Sequence, residues 1–479
     1  MSAISMRIDA DTLAQRAGGS WAGPAVANHV TSIEIDSRRC GEGSLFVALP
    51  GAQADGHDFI SAAADLGAAA ALVSRPANDA DLPMLVVDDV QHALTGLGAG
   101  GREAHIAAGG RLAAITGSVG KTGSKEMLAH LLQPGGCHAS RASFNNHLGV
   151  PLTLAALPET PVDAVQEIGM NAPGEISALS AIAQPDIAVI TRIADSHAGF
   201  FDSLDDIADA KAEIFDGLRA GGTAILNRDD AYFERLAARA RDAGAAKIIS
   251  FGTNDNADFR LVSAERHTDG MRVNAQARGT SLSFGLGMHG AHWAINAMAM
   301  LAVCDSLGHD AAIAAERLAS FTNLPGRGAV SSGKFDGTAI TLIDDSYNAG
   351  PASMKAAFAS LAANPPQIMV LSEMLELGDG SASAHTALAP GIMSLRPRVV
   401  ITIGTEMSRM VAALPCTAVH EPAGDAEAAT DRLRAHLRDG DTVFIKGSNG
   451  SGAWRVAATL IEALRDGGTS DEGETHDAA

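Results

Sequence analysis

Cysteine is scarce in this chain of 479 residues: there are four, Cys40, Cys137, Cys304 and Cys416, with no paired metal-ligand spacing. That argues against a disulfide framework or a zinc site and points to a reducing, cytoplasmic setting. Basic residues are also few, 35 Lys and Arg against 56 Asp and Glu, for a formal charge of -21. This balance argues against nucleic acid or an anionic membrane as a general partner, so an anionic substrate has to meet local basic groups. No stretch reaches about 18 uninterrupted apolar residues, and Met1 to Gly19 lacks the apolar core of a signal peptide. A soluble, unexported protein without membrane insertion is the expectation. No repeat or low-complexity array stands out apart from the acidic end, Arg465 through Asp471, Glu472, Glu474 and Asp477, which is expected as a disordered tail over 466–479.

One stretch organises what is present. Leu112, Ala113, Ala114 and Ile115 form an apolar run, Thr116-Gly117-Ser118-Val119-Gly120-Lys121-Thr122-Gly123 a glycine-punctuated turn, and Ser124 to Leu128 the start of a helix-forming segment. Strand, loop and helix N-terminus in that order aim backbone N–H groups at an incoming anion. Lys121 would reach the β- and γ-phosphates as a point charge. The Thr122 hydroxyl would complete the coordination of a Mg2+ that keeps several waters. Ile115 stands where the commonest phosphate loop has glycine, so the pattern is Thr-Gly-x-x-Gly-Lys-Thr. It specifies ATP or GTP and leaves the reaction open.

The length suggests about three domains. Residues 1–105 read as a small α/β unit, with strands at 32–35, 44–49 and 70–73 and a helix at 58–66. Its polar clusters, Asp36-Ser37-Arg38 and Asp55-Gly56-His57, are explicable singly as turns. The Gly- and Ala-rich stretch 98–110 reads as a helix end and a linker, which places a boundary near 105. Residues 106–329 alternate strand, loop and helix, predicting a mostly parallel sheet with helices on both faces. In such sheets ligands collect beyond the carboxyl ends of the strands. Glu167, after a strand at 164–166, and His197, shortly after one at 187–191, therefore fall on the phosphate-loop side, where they could hold metal ions. A solvated strand-end Glu and a helix-capping His account for them equally well. Lys211 lies in a helical pattern over 204–218 and reads there as a surface lysine. Residues 240–287 look strand-rich and 292–304 a buried helix. Pro325-Gly326-Arg327-Gly328 breaks the pattern and sets a second boundary near 330. The third unit, 330–465, has strands at 339–343, 368–371, 399–403 and 443–445. Two of them end in Asp344-Asp345-Ser346-Tyr347-Asn348 and Lys446-Gly447-Ser448, which face one crevice by the same rule.

These stretches jointly resemble the Mur ligases of peptidoglycan synthesis, and most closely the MurF type. The same resemblance is carried by Phe144-Asn145-Asn146, Gly149-Val150-Pro151-Leu152-Thr153, Glu167-Ile168-Gly169, Ala210-Lys211-Ala212-Glu213-Ile214-Phe215 and Met374-Leu375-Glu376-Leu377-Gly378. It spans nearly the whole chain. It implies a three-domain α/β fold: a central parallel-sheet P-loop ATPase domain, flanked by a small N-terminal α/β domain for the UDP-sugar and a C-terminal Rossmann-like α/β domain for the incoming dipeptide. The implied enzyme is an ATP-dependent amide ligase that adds D-alanyl-D-alanine to UDP-N-acetylmuramoyl-tripeptide through an acyl phosphate, releasing ADP and phosphate. A monomer is the expected form.

Carried over by position, the resemblance makes Gly117, Ser118, Val119, Gly120, Lys121, Thr122 and Gly123 the phosphate cradle. Asn296 meets the adenine, Arg327 the phosphates and Asp345 the ribose. Thr122 and Glu167 are implied ligands of a first Mg2+ and His197 of a second, with Lys211 carbamylated to serve as an oxygen ligand. Asn145 and Asn146 lie near the reacting ends, Asp36, Ser37 and Arg38 on the UDP-sugar side, and Asn348, Lys446 and Ser448 beside the dipeptide. Several positions depart from the family pattern. Trp293 stands where Asn is frequent, leaving the adenine to Asn296 or to stacking on Trp293. Ser372-Glu373 replaces Gly-Asp, Gly350 replaces Asn, and Ala198-Gly199 replaces Leu-Glu. The competing readings are a sister ligase adding one amino acid, disfavoured by Asp345-Ser346-Tyr347-Asn348, and folylpolyglutamate synthase, disfavoured by Asp36-Ser37-Arg38. A nucleotide-binding paralogue without turnover is the third.

Overall fold

The computed structural model describes residues 6–51, 54–77, 81–194, 201, 203–267, 269–322, 324–414 and 418–466. They form three sheets, each largely parallel. The first contains β1 (Ser20–Ala22), β2 (Ser32–Glu34), β3 (Ser44–Val47), β4 (Ala70–Val73) and β5 (Met84–Val86), in the order β1-β5-β4-β3-β2, with only β1 antiparallel. Its strand residues from β3 and β4 are buried throughout, because apolar clusters cover both faces.

The central sheet is built from β6 (Arg111–Thr116), β7 (Cys137–Ala139), β8 (Asp163–Glu167), β9 (Ile187–Ile190), β10 (Thr223–Asn227), β11 (Lys247–Gly252), β12 (Phe259–His267), β13 (Gly270–Ala277) and β14 (Thr280–Leu286). Their order is β14-β13-β12-β11-β10-β9-β6-β8-β7. The continuous apolar run of β6 divides alternately between two cores, as the period of a strand requires. Ala113 and Ile115 join the core against the helices Lys121–Leu132 and Ala291–Ser306, while Leu112 and Ala114 join the one against Glu175–Ala183, Leu204–Ala212 and Phe233–Asp242. The strand-rich reading of 240–287 holds from β11 onward, and the buried helix expected at 292–304 is Ala291–Ser306.

The third sheet comprises β15 (Ala329–Phe335), β16 (Thr338–Asp345), β17 (Ile368–Ser372), β18 (Val399–Ile403), β19 (Val419–Ala423) and β20 (Asp441–Lys446), in the order β15-β16-β20-β17-β18-β19. β16 and β20 run parallel with Asp345 opposite Lys446, so their carboxyl ends are neighbours. β15 and β19, both on the rim, were not legible in the residue pattern.

One expectation is corrected. Most of the stretch 98–110 is not a linker: the helix Val90–Ala107 runs unbroken to Ala107, so a helix does end here but only 108–110 connect it to β6. Its glycines serve close helix packing. A Cβ on Gly98 would lie 2.8 Å from the Pro151 backbone, and one on Gly101 2.4 Å from the Leu154 carbonyl. The helix is anchored by buried Arg102, which donates to the Ala183 carbonyl at 2.9 Å and to Asp186 at 2.7 Å. The boundary expected near 105 thus falls in the last turn of a helix packed on the central unit. The acidic tail expected over 466–479 lies outside the described residues except for Asp466, which closes the helix Ala453–Asp466.

Candidate active site

The phosphate loop leaves β6 where the central sheet changes direction, with β9 on one side and β8 on the other. In open parallel sheets a ligand site lies at such a point, beyond the strand ends. Gly117 has φ +143° and sits so close to Thr191 that an added Cβ would lie 2.1 Å from its Oγ1. Thr191 Oγ1 donates to the Val119 carbonyl at 2.6 Å and holds the loop down. Gly120, at φ +85°, precedes the helix Lys121–Leu132 and supplies no side-chain cap, so the first-turn amides keep their capacity for an anion. Asn296 lies against Gly120, its Nδ2 3.0 Å from where a Cβ would stand.

Lys121 folds back over the loop and donates from Nζ to the Gly117 carbonyl at 2.7 Å. Burial pushes its pKa down, Glu167 opposes that shift and Arg327 adds to it, so these three charges share one neighbourhood. Thr122 Oγ1 is 3.1 Å from Ser143 Oγ. Trp293 is 6% exposed, packs its ring over Gly123 and meets Phe321 edge-on at 5.9 Å. It is core packing, and the expectation that it could stack on adenine is withdrawn.

Glu167 is 1% exposed at the end of β8. Its Oε1 accepts from Asn145 Nδ2 at 2.7 Å, while Oε2 has no hydrogen-bond partner among the described residues. The solvated-carboxylate alternative is therefore excluded. Lys211 is fully buried, and its Nζ likewise has no partner among the described residues. Burial holds its pKa well below 10.5; the Lys121 charge works in the same direction, and Glu167, Glu213 and Glu175 oppose it. The surface-lysine reading is overturned. Glu213, two residues on, accepts from the amides of Gly174 and Ser177 at 2.7 and 3.1 Å, capping the helix Glu175–Ala183, whose N-cap glycine has no side chain. His197 lies outside the described residues.

On the third sheet, Asp345 and Lys446 pair at 2.7 Å. Burial pushes the Asp345 carboxyl up against the pull of Lys446. Lys446 also donates to the Asn348 carbonyl at 3.0 Å, and Ser448 Oγ to that of Ala349 at 3.1 Å. Asp345, Asn348, Lys446 and Ser448 are thus one cluster. Arg327 lies over the Tyr347 ring, 4.1 Å from its centre. The departures Ser372 and Glu373 are absorbed by the fold: Ser372 bonds Ser451 at 2.5 Å, and Glu373 accepts from the Glu406 amide at 2.7 Å at the start of the helix Thr405–Ala412.

Asp36, Ser37 and Arg38 make a self-contained turn. Asp36 accepts from the Arg38 amide at 3.1 Å and its guanidinium at 2.8 Å, which lowers the carboxyl's pKa. Asn146 is a cap, its Oδ1 accepting from Gly149 N at 2.9 Å at the head of the helix Gly149–Ala155. Two groups carried no reading from sequence. Ser143 touches both Thr122 and, through the phenol that donates to it, Tyr347. Lys125, fully buried, donates to the carbonyls of Ser140 and Ala142, each at 2.7 Å. Ser143 adjoins a motif, but nothing local marks its partners.

Three family descriptions match the chain: "Mur ligase family, catalytic domain" over residues 29–102, "Mur ligase middle domain" over 115–304 and "Mur ligase, glutamate ligase domain" over 326–449. The UDP-N-acetylmuramoyl-tripeptide--D-alanyl-D-alanine ligase of Rickettsia prowazekii is 33% identical over 435 residues, covering 89% of this chain and 95% of its own. Its counterpart in Escherichia coli K12 is 33% identical over 443 residues, 91% and 94%. Among solved structures, MurF from Acinetobacter baumannii superposes with a TM-score of 0.81 at 29% identity, covering 96% of this chain and 100% of its own. MurF ligase from Thermotoga maritima in complex with ADP gives 0.73 at 25% identity, covering 91% and 98%.

Proposed function

The chain belongs to the Mur ligase family, and from that premise we propose that it joins D-alanyl-D-alanine to UDP-N-acetylmuramoyl-tripeptide at the expense of ATP. The observation that carries the chemistry is a pair of buried polar atoms near the phosphate loop, Glu167 Oε2 and Lys211 Nζ, that have no partner among the described residues. An apolar core would not retain them, because each forfeits its hydrogen bond on burial.

The chemistry of the donors suits Mg2+, a second ion depending on His197, which lies outside the described residues. Thr122, Glu167 and His197 offer oxygen and nitrogen donors. Lys211, held toward its neutral amine by burial, is suited to capture CO2 and become a carbamate, an anionic oxygen donor of the kind Mg2+ takes. Bound there, the ions would neutralise charge on the phosphates. The chain's own groups do the rest. Lys121 and the first-turn amides hold the β- and γ-phosphates, and Arg327 faces them from the third unit. A carboxylate oxygen of the tripeptide attacks the γ-phosphorus and ADP leaves. The amine of the dipeptide then attacks the acyl carbon, phosphate leaves and the amine loses a proton. Asn348, Lys446 and Ser448 border that amine, and Asp36, Ser37 and Arg38 the UDP-sugar. The acyl phosphate has to be kept from water, which apposition of the third unit on the phosphate loop would provide.

The units divide near 105 and 330, and the working form is a cytoplasmic monomer. No described helix is long and apolar enough to cross a membrane. The test is isotopic. With 18O in the tripeptide's terminal carboxylate, one labelled oxygen should leave in the released phosphate. Released phosphate free of label, with the departing carboxylate oxygen found in water instead, would rule out the acyl phosphate.

A further inference from the structure

Ser143 is the point where the phosphate loop and the third unit meet. Its Oγ lies 3.1 Å from Thr122 Oγ1 and accepts from the phenol of Tyr347, 204 residues along the chain. The Tyr347 ring in turn supports the Arg327 guanidinium at 4.1 Å. The segment that presents Ser143 is held firmly. Lys125 donates to the carbonyls of Ser140 and Ala142 at 2.7 Å each, and Ala142 is kept at φ +44°, a conformation alanine rarely adopts unaided. Arg141, between those carbonyls, pairs with Glu34 of the first unit at 2.7 Å.

Counting hydrogens gives this arrangement a direction. A threonine hydroxyl that offers its lone pairs to a cation must send its hydrogen to an acceptor. Among the described residues the hydrogen-bond partner of Thr122 Oγ1 is Ser143 Oγ, which can accept that hydrogen: it has two lone pairs, one of them used by Tyr347. We propose that Ser143 and Tyr347 are positioning residues: a hydroxyl relay that orients Thr122 toward the metal–nucleotide complex and makes that orientation depend on the third unit being seated. The inference rests on the reading of the phosphate loop as the Mg2+–ATP site. It ties the shape of that site to the unit that delivers the dipeptide, so nucleotide and closure are felt together.

The experiment measures ADP binding to the full chain by calorimetry, with Mg2+ and separately with EDTA, alongside kcat and KM for ATP. Tyr347→Phe keeps the ring under Arg327 and removes only the hydroxyl. Ser143→Ala removes the junction, and Ser143→Thr restores a hydroxyl. Groups that orient a metal ligand typically change metal affinity by about tenfold or more. Each single variant should therefore weaken ADP binding about tenfold with Mg2+ and leave it within about twofold in EDTA. The double variant should be no weaker than the worse single, and Ser143→Thr should recover most of the loss. Equal weakening with and without Mg2+, multiplicative losses in the double variant, or binding equal to wild type would each overturn the relay. Wild-type protein whose ADP affinity ignores Mg2+ would overturn the underlying site as well, which separates the two failures.

Discussion

Replacing Lys211 with methionine isolates the most unusual group in the site. Its Nζ is buried with no partner among the described residues, and burial holds its pKa well below 10.5. Between that lowered value and 10.5 the unfolded chain keeps a proton that the fold has released. Stability must then rise with pH, by about 1.4 kcal/mol per unit for one proton, until the unfolded lysine also deprotonates. Lys211→Met has nearly the same bulk and titrates nothing. In CO2-free buffer the unfolding free energy of wild type relative to the variant should rise as pH climbs toward 10.5, at up to about 1.4 kcal/mol per unit, with the variant the more stable at the lower end. Urea titration followed by Trp293 fluorescence reads this, because Trp293 lies in the core of the central unit and the other tryptophans, Trp21 and Trp454, can be changed to phenylalanine. Bicarbonate should flatten the wild-type slope by converting the amine to its carbamate. A difference that does not move with pH would show that Lys211 keeps its proton in the fold, and an amine that keeps its proton cannot take up CO2.

Glu167→Gln keeps the bond from Asn145 and removes the charge; phosphate release should fall at least about 100-fold, roughly 3 kcal/mol of transition-state stabilisation, while the melting temperature stays level or rises. His138, pushed down to about 4 mainly by burial, donates to the Thr153 carbonyl at 3.0 Å as a neutral ring. As pH falls below 6.5 the unfolded state takes up that proton first, so stability present above 6.5 is lost toward about 4, and denaturant titration of His138→Gln should show a slope shallower by up to about 1.4 kcal/mol per unit in that window. Gly101→Ala drives a Cβ to 2.4 Å from the Leu154 carbonyl; overpacking of this kind should cost about 1 to 3 kcal/mol in a denaturation midpoint while leaving kcat little changed.

What could be read from sequence was local. The phosphate loop needs only neighbours in sequence: an apolar strand, two glycines at positive φ and a helix start. Strand ends rich in Asp, Asn, Lys and Ser announced the third-sheet cluster because strand order puts β16 beside β20. Periodicity alone made Lys211 a surface residue, because it describes one apolar stripe and cannot reveal a second layer closing over the other side; only the family resemblance singled this lysine out. The glycines of 98–110 were misread because glycine weakens a helix when alone and permits close approach when a partner helix is present. β19 was invisible since it is a partly exposed rim strand carrying Pro422. Ser143 was missed for the plainest reason: its meaning is its contact with Tyr347, which exists only in the folded chain.

The most direct measurement compares acceptors. ATP, Mg2+ and UDP-N-acetylmuramoyl-tripeptide are incubated with D-alanyl-D-alanine or with single amino acids, diaminopimelate and lysine included, and phosphate is followed. Stoichiometric ADP, phosphate and pentapeptide product are expected only with the dipeptide. Release driven by a single amino acid would contradict the assignment in favour of a sister ligase, and no release with any acceptor would leave a nucleotide-binding protein without turnover.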